Sequence, residues 1–142
     1  MVNRIPDGYP RVCPNLEVIG ADRLIGFIQD AFGGVLRVRN GNPDGTVAHA
    51  ELQIGDSVVM VSDAGTPEAA TRASLHLYVE DVDAVYAAAL AAGGTADGGP
   101  EDRFWGDRTV NIFDPAGNRW WVSTHVEDVS EEEIAERAAK LG

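Results

Sequence analysis

Apolar residues recur along this chain with two different periods, and the order in which those periods alternate sets out an architecture. Val12–Ile19 alternates like a strand, Leu24, Ile25, Phe27, Ile28 and Phe32 then fall at helical spacing within Ala21–Phe32, and Gly33-Gly34 stops the run. Val35–Val38, Val47–Ile54 and Ser57–Val61 alternate again, separated by a Gly41–Gly45 turn and a tight Gly55-Asp56 turn. The same order then returns. Ser74–Glu80 alternates strictly, Val82–Ala92 carries a second helical pattern, and Gly93-Gly94 follows 60 positions after the first glycine pair. A Gly- and Pro-rich stretch containing Phe104-Trp105 leads into strands at Arg108–Phe113 and Arg119–Thr124, joined by an Asp114–Gly117 turn. Residues 62–73 are small and polar, a linker between the halves, and Ser130 to Glu133 is a capping box opening a short C-terminal helix over about 130–140.

This pattern predicts an α+β fold. Two tandem βαβββ modules, about 10–62 and 73–126, make a cupped, half-barrel-like sheet, with the C-terminal helix appended, in a single domain 1–142. Each module's helix covers one face of its sheet, so chemistry is sought on the other.

Strand parity assigns residues to that open face. On Val47–Ile54, Ala48, Ala50, Leu52 and Ile54 pack under the helix and leave Val47, His49, Glu51 and Gln53 opposite. The same rule exposes Cys13, Asn15 and Glu17 on the first strand, and Ser74, His76, Tyr78 and Glu80 on the strand that opens the second module. On the last strand it exposes Arg119, Trp121, Ser123 and His125. Glu17, Gln53 and Glu80 read as solvated. His49, Glu51, Tyr78 and Trp121 read as the lining of one shared crevice, because large aromatics opposite a buried face need a second surface to cover them. His125, past the last strand, reads as exposed.

Composition narrows the chemistry. With 23 acidic against 11 basic residues, the formal net charge is −12, which leaves no basic stripe for nucleic acid or an anionic membrane surface. The longest apolar run, Ala84–Ala92, is far short of the roughly 20 residues of a membrane span, and no secretory h-region follows Met1. A single cysteine, Cys13, fits a reducing compartment, so a cytoplasmic location is expected.

The segments Leu16–Val18 with Ala21–Gly33, His49–Asp56, Leu77–Asp83, Phe104–Arg108 and Phe113–Trp121 together resemble the glyoxalase/bleomycin-resistance/extradiol-dioxygenase superfamily, the vicinal oxygen chelate proteins. The wording of His49–Leu52 and Phe104–Arg108 is most similar to its PhnB-like branch. The resemblance spans about residues 10–126 and implies paired βαβββ modules in a homodimer. In metal-using members, four side chains approach an ion, and by position these places fall on Cys13, Glu51, Ser74 and Trp121. Of these only Glu51 is a conventional hard-metal ligand, and Trp121 cannot coordinate.

Two functional classes follow. The first is a metal-independent small-molecule binder with no cofactor, whose ligand is planar or amphipathic. It would stack on Phe104, Trp105 and Trp121 and bond to His49, Glu51, Ser74, His76 and Tyr78. The alternative is a lyase, isomerase or dioxygenase using a divalent metal on His49, Glu51 and His76, or metal-free acid–base chemistry at the same three candidates. An interaction module docking through the acidic C-terminal helix is a further option.

Overall fold

The computed structural model describes residues 2–142. The first module comprises β1 (Asn15–Val18), α1 (Ala21–Phe32), β2 (Val35–Gly41), β3 (Val47–Ile54) and β4 (Ser57–Asp63), with sheet order β1-β4-β3-β2. The second comprises β5 (Ser74–Tyr78), α2 (Val82–Ala91), β6 (Thr95–Ala96), β7 (Glu101–Asp102), β8 (Asp107–Phe113) and β9 (Arg119–His125). Its sheet runs β5-β9-β8-β6, with β7 also pairing β8. In each, the opening strand lies parallel to the closing one, β1 on β4 and β5 on β9, and the remaining pairs are antiparallel. The predicted pair of βαβββ modules is therefore present, with the opening strand of the second module's meander broken into the short β6 and β7. The sheets curve but do not close into a barrel. Helix α3 (Glu131–Lys140) follows, its first turn capped by the Ser130 side chain, which accepts from the Glu133 N–H.

The glycine pairs do the same work in both modules. Gly33 and Gly93 end their helices with positive φ, a conformation that costs glycine no Cβ clash. The second member of each pair sits where side chains press in. A Cβ on Gly34 would lie 2.7 Å from Ile28 Cγ2, and one on Gly94 would lie 2.8 Å from the Phe27 ring.

Leu16, Val18, Leu52, Val59 and Val61 from the helix side of the first sheet join Val110, Ile112, Trp120 and Val122 from the helix side of the second in one core with both helices. Phe32 at the end of α1 packs on Trp120, ring centroids 4.7 Å apart. The helix side of each sheet thus faces the other module, and the open faces turn outward. The single crevice expected from parity is replaced, within one chain, by two separate half-crevices.

Local details also depart from the sequence reading. Val47 was expected on the open face, yet it is fully buried in the core while Ala48 is exposed. The register explains the exchange. Asn40 pairs with His49 and Gly41 with Val47, so Ala48 is an extra residue and parity inverts across the bulge. Cys13 precedes β1 rather than belonging to it, and its thiol lies 3.3 Å from the Pro10 carbonyl. Asp63, expected in the linker, ends β4, where its carboxylate accepts from the N–H groups of Gly20, Ala21 and Val47. It caps α1 from a distance, since Gly20 has no side chain to do so. No helix among the described residues is long and apolar enough to cross a membrane.

Candidate functional site

The open face of the second sheet is a grid fixed by strand register. Ser74, Arg119 and Phe113 form one row across β5, β9 and β8. His76, Trp121 and Asn111 form the next, and Tyr78, Ser123 and Thr109 the third, while His125 and Asp107 close the far end. Alternation places Leu75, Trp120 and Ile112, then Leu77, Val122 and Val110, on the core side. All of Ser74, His76, Tyr78 and Trp121 thus share this face, as the strand pattern predicted.

The floor of the grid is polar, and its third row is bonded internally. Ser123 and Thr109, both fully buried, share a hydrogen bond of 2.8 Å, and His76 Nε2 lies 3.0 Å from Ser123 Oγ. Above that floor the His76 imidazole stacks on the Tyr78 ring, with centroids 4.8 Å apart and planes inclined by 25°. Tyr78 is 61% exposed, a large aromatic surface held in place yet left uncovered.

Asp107 is the hub of the far end. Buried at 3% exposure, its carboxylate accepts from Tyr78 Oη at 3.0 Å, Trp105 Nε1 at 3.2 Å and His125 Nδ1 at 2.8 Å. Burial works to raise its pKa, but the bonds from His125, Tyr78 and Trp105 outweigh that and hold it below the usual carboxylate range. In return Asp107 raises the Tyr78 phenol and, together with Asp128 on the other ring nitrogen, the His125 imidazole. A cavity of about 510 Å³ lies here, lined by Tyr78, Val79, Glu80, Thr124 and His125. Another of about 690 Å³ runs from His76 and Tyr78 to Phe32 and the Gly55 turn. Trp105 meets Phe104 edge-on, 4.9 Å between centroids, and both line a smaller hollow beside Leu141.

The open face of the first sheet is built differently. Glu51 lies on the central strand β3, its two oxygens engaged by the Tyr9 hydroxyl, which reaches in from the N-terminal segment, and by His49 Nε2 at 2.7 Å. The Tyr9 bond first, then the His49 bond, hold the Glu51 carboxyl below its ordinary range despite burial. No hydrogen bond among the described residues links this cluster to the His76 grid. Sequence reasoning brought His49 and Glu51 together correctly but missed Tyr9, Asp107, Thr109 and the anchoring of His125. Tyr9 and Asp107 act across 42 and 18 positions, which no local pattern records.

The donor set does not suit the metal of the family's ion-binding members. Cys13 is turned toward a backbone carbonyl, Ser74 is exposed at a strand end, Trp121 has no donor, and Glu51 already satisfies Tyr9 and His49. Among the described residues, no three His, Cys, Asp or Glu side chains gather closely enough to hold an ion.

Residues 16–122 match the Glyoxalase/Bleomycin resistance protein/Dioxygenase superfamily. The chain belongs to that superfamily. It is 35% identical to the Mycobacterium bovis protein Mb0911c over 144 aligned positions, covering 94% of this chain and 95% of that one. Among solved structures it is similar to TioX from Micromonospora sp. ML1, with 28% identity, a TM-score of 0.66, and coverage of 81% of this chain and 99% of that one. It also shares the fold of a glyoxalase/bleomycin resistance protein/dioxygenase family enzyme from Burkholderia phytofirmans PsJN. There the identity is 19%, the TM-score 0.65 and the coverage 79% and 95%.

Proposed function

We propose that this protein binds a planar or amphipathic small molecule, without a metal, on the open face of the second sheet. The observation that carries the reading is the His76–Tyr78 stack beside Trp121, aromatic surface held over a polar floor and left uncovered at Tyr78. Aromatic faces stabilise a flat ligand by dispersion and quadrupole contacts, and a preformed surface loses little entropy on binding. The wording of His49-Ala-Glu-Leu52 and Phe104–Arg108 supports a position in the PhnB-like branch of its superfamily.

The outward direction of both open faces supports a homodimer in which the His49–Glu51 face of one copy covers the His76–Trp121 face of the other. Each ligand would then lie between copies, and the two half-crevices of one chain would serve two sites. Elemental analysis with native mass spectrometry on the purified chain tests this, followed by titration with a planar aromatic probe. The expected result is a dimer without stoichiometric metal, which binds the probe and loses about tenfold in affinity on Trp121→Ala. One tightly held transition metal per chain, with an activity lost on stripping it, would sink the proposal.

A further inference from the structure

The grid is not uniform in charge. At the Tyr78 end the Asp107 carboxylate is engaged by three donors, whereas at the Ser74 end the Arg119 guanidinium has no such partner. Arg119 makes no ion pair among the described residues, although the chain carries an excess of acidic groups. It is held by aromatic rings instead, with Cζ 5.3 Å from the Phe113 centroid and 5.8 Å from that of Trp121. The rings hold the cation near the aromatic face without occupying its N–H groups, which an anion can then meet.

From the unpaired Arg119 and the uncovered aromatic surface next to it we infer that the ligand is an aromatic carboxylic acid. Its acidic group meets Arg119 and its ring lies over Trp121 and His76. This specificity rests on the binding reading above and goes beyond it by fixing the sign of the ligand's charge. A protein of net charge −12 repels anions at long range. The discrimination must therefore come from local contacts at Arg119 rather than from steering.

The test is isothermal titration of the full-length protein with 2-naphthoate, 2-naphthamide and 2-naphthylmethylammonium, which share one ring system and differ in charge. Naphthoate is expected to bind roughly tenfold tighter than the amide, with the ammonium weakest, as a charge-assisted bond on a half-exposed face would give. Arg119→Gln brings naphthoate down to the affinity of the amide, and Arg119→Lys, which keeps the charge but not the planar fork, falls between. Equal affinity for naphthoate and amide, or a naphthoate preference that survives Arg119→Gln, overturns the inference while the binding reading stands. Failure of all three probes to bind overturns both. Thermal melts of each variant verify that it is folded, and an exposed arginine is not needed for the core.

Discussion

The two modules share one topology and yet finish their open faces in opposite ways. In the first, a carboxylate on the central strand is closed off by the chain itself, with Tyr9 brought in from the N-terminal segment and His49 from the same strand. In the second, the carboxylate at the edge of the grid is used to tie down aromatic side chains, and those aromatics stay uncovered. A sheet face that satisfies its polar groups internally needs no ligand, whereas one that spends them orienting exposed rings is prepared for one. Duplication supplied two equal frames, and the side chains at a few register positions gave them different tasks.

The contrast is broken most severely at Asp107. Asp107→Ala leaves the Trp105 indole N–H, the Tyr78 hydroxyl and the His125 ring without their shared acceptor. The expected loss is about 2 kcal/mol of stability, or roughly 7 °C in Tm, because three bonds to one buried carboxylate are lost at once while the donors, only partly buried, regain water. Aromatic near-UV circular dichroism should weaken at the same time, since Trp105 and Tyr78 lose their fixed orientation. A variant that melts within about 2 °C of the parent and keeps its near-UV spectrum would show that the rings are held by packing and not by this carboxylate.

Tyr9→Phe addresses the first module and is milder. The phenol is half-buried and the segment carrying it is otherwise exposed, so the expected Tm loss is only roughly 3 °C. The more telling readout is local. With one of its two donors gone, the Glu51 carboxyl should titrate closer to the ordinary range, followed by carbon-13 NMR of the side chain, and the segment before β1 should become easier to cleave with protease. An unchanged Glu51 titration would mean that His49 alone sets its charge, and the closed face would lose its distinguishing feature.

Much of this arrangement is legible in the sequence. The strand, helix and glycine-pair order is read from periodicity, and the parity of β5 and β9 places Ser74, His76, Tyr78 and Trp121 on one face because both strands are free of bulges over that span. Parity failed at Val47 for the complementary reason, since one extra residue at Ala48 inverts everything before it, and no turn signal marks the position. The His49–Glu51 pair is local and was found. Tyr9, Asp107 and the anchoring of His125 depend on contacts between distant segments. Which side of each sheet turns toward the other module depends on how Phe32 and Trp120 pack, and local alternation carries no information about that.

The smallest expected effect separates the two faces by pH. His125 gains Asp107 first and Asp128 second as partners on folding, so its folded pKa lies above the unfolded value of about 6.5. Below about pH 6.5 the imidazole is protonated in both states and the stabilisation is fully present. As pH rises through the raised folded value it is lost, so Tm should fall by roughly 1–2 °C on the alkaline side, and His125→Gln should flatten that slope. Glu51 behaves inversely. Its pKa is depressed on folding, so its contribution is present above the ordinary carboxylate range and disappears as pH drops through the folded value. Tyr9→Phe should therefore reduce the acid-side slope and leave the limb just above neutral pH alone, while His125→Gln flattens that limb and also weakens the acid-side contribution of Asp107, whose carboxyl it helps hold low. If Tyr9→Phe altered the limb just above neutral pH that His125 sets, the two clusters would be coupled through the core, and the independence of the two faces would be lost.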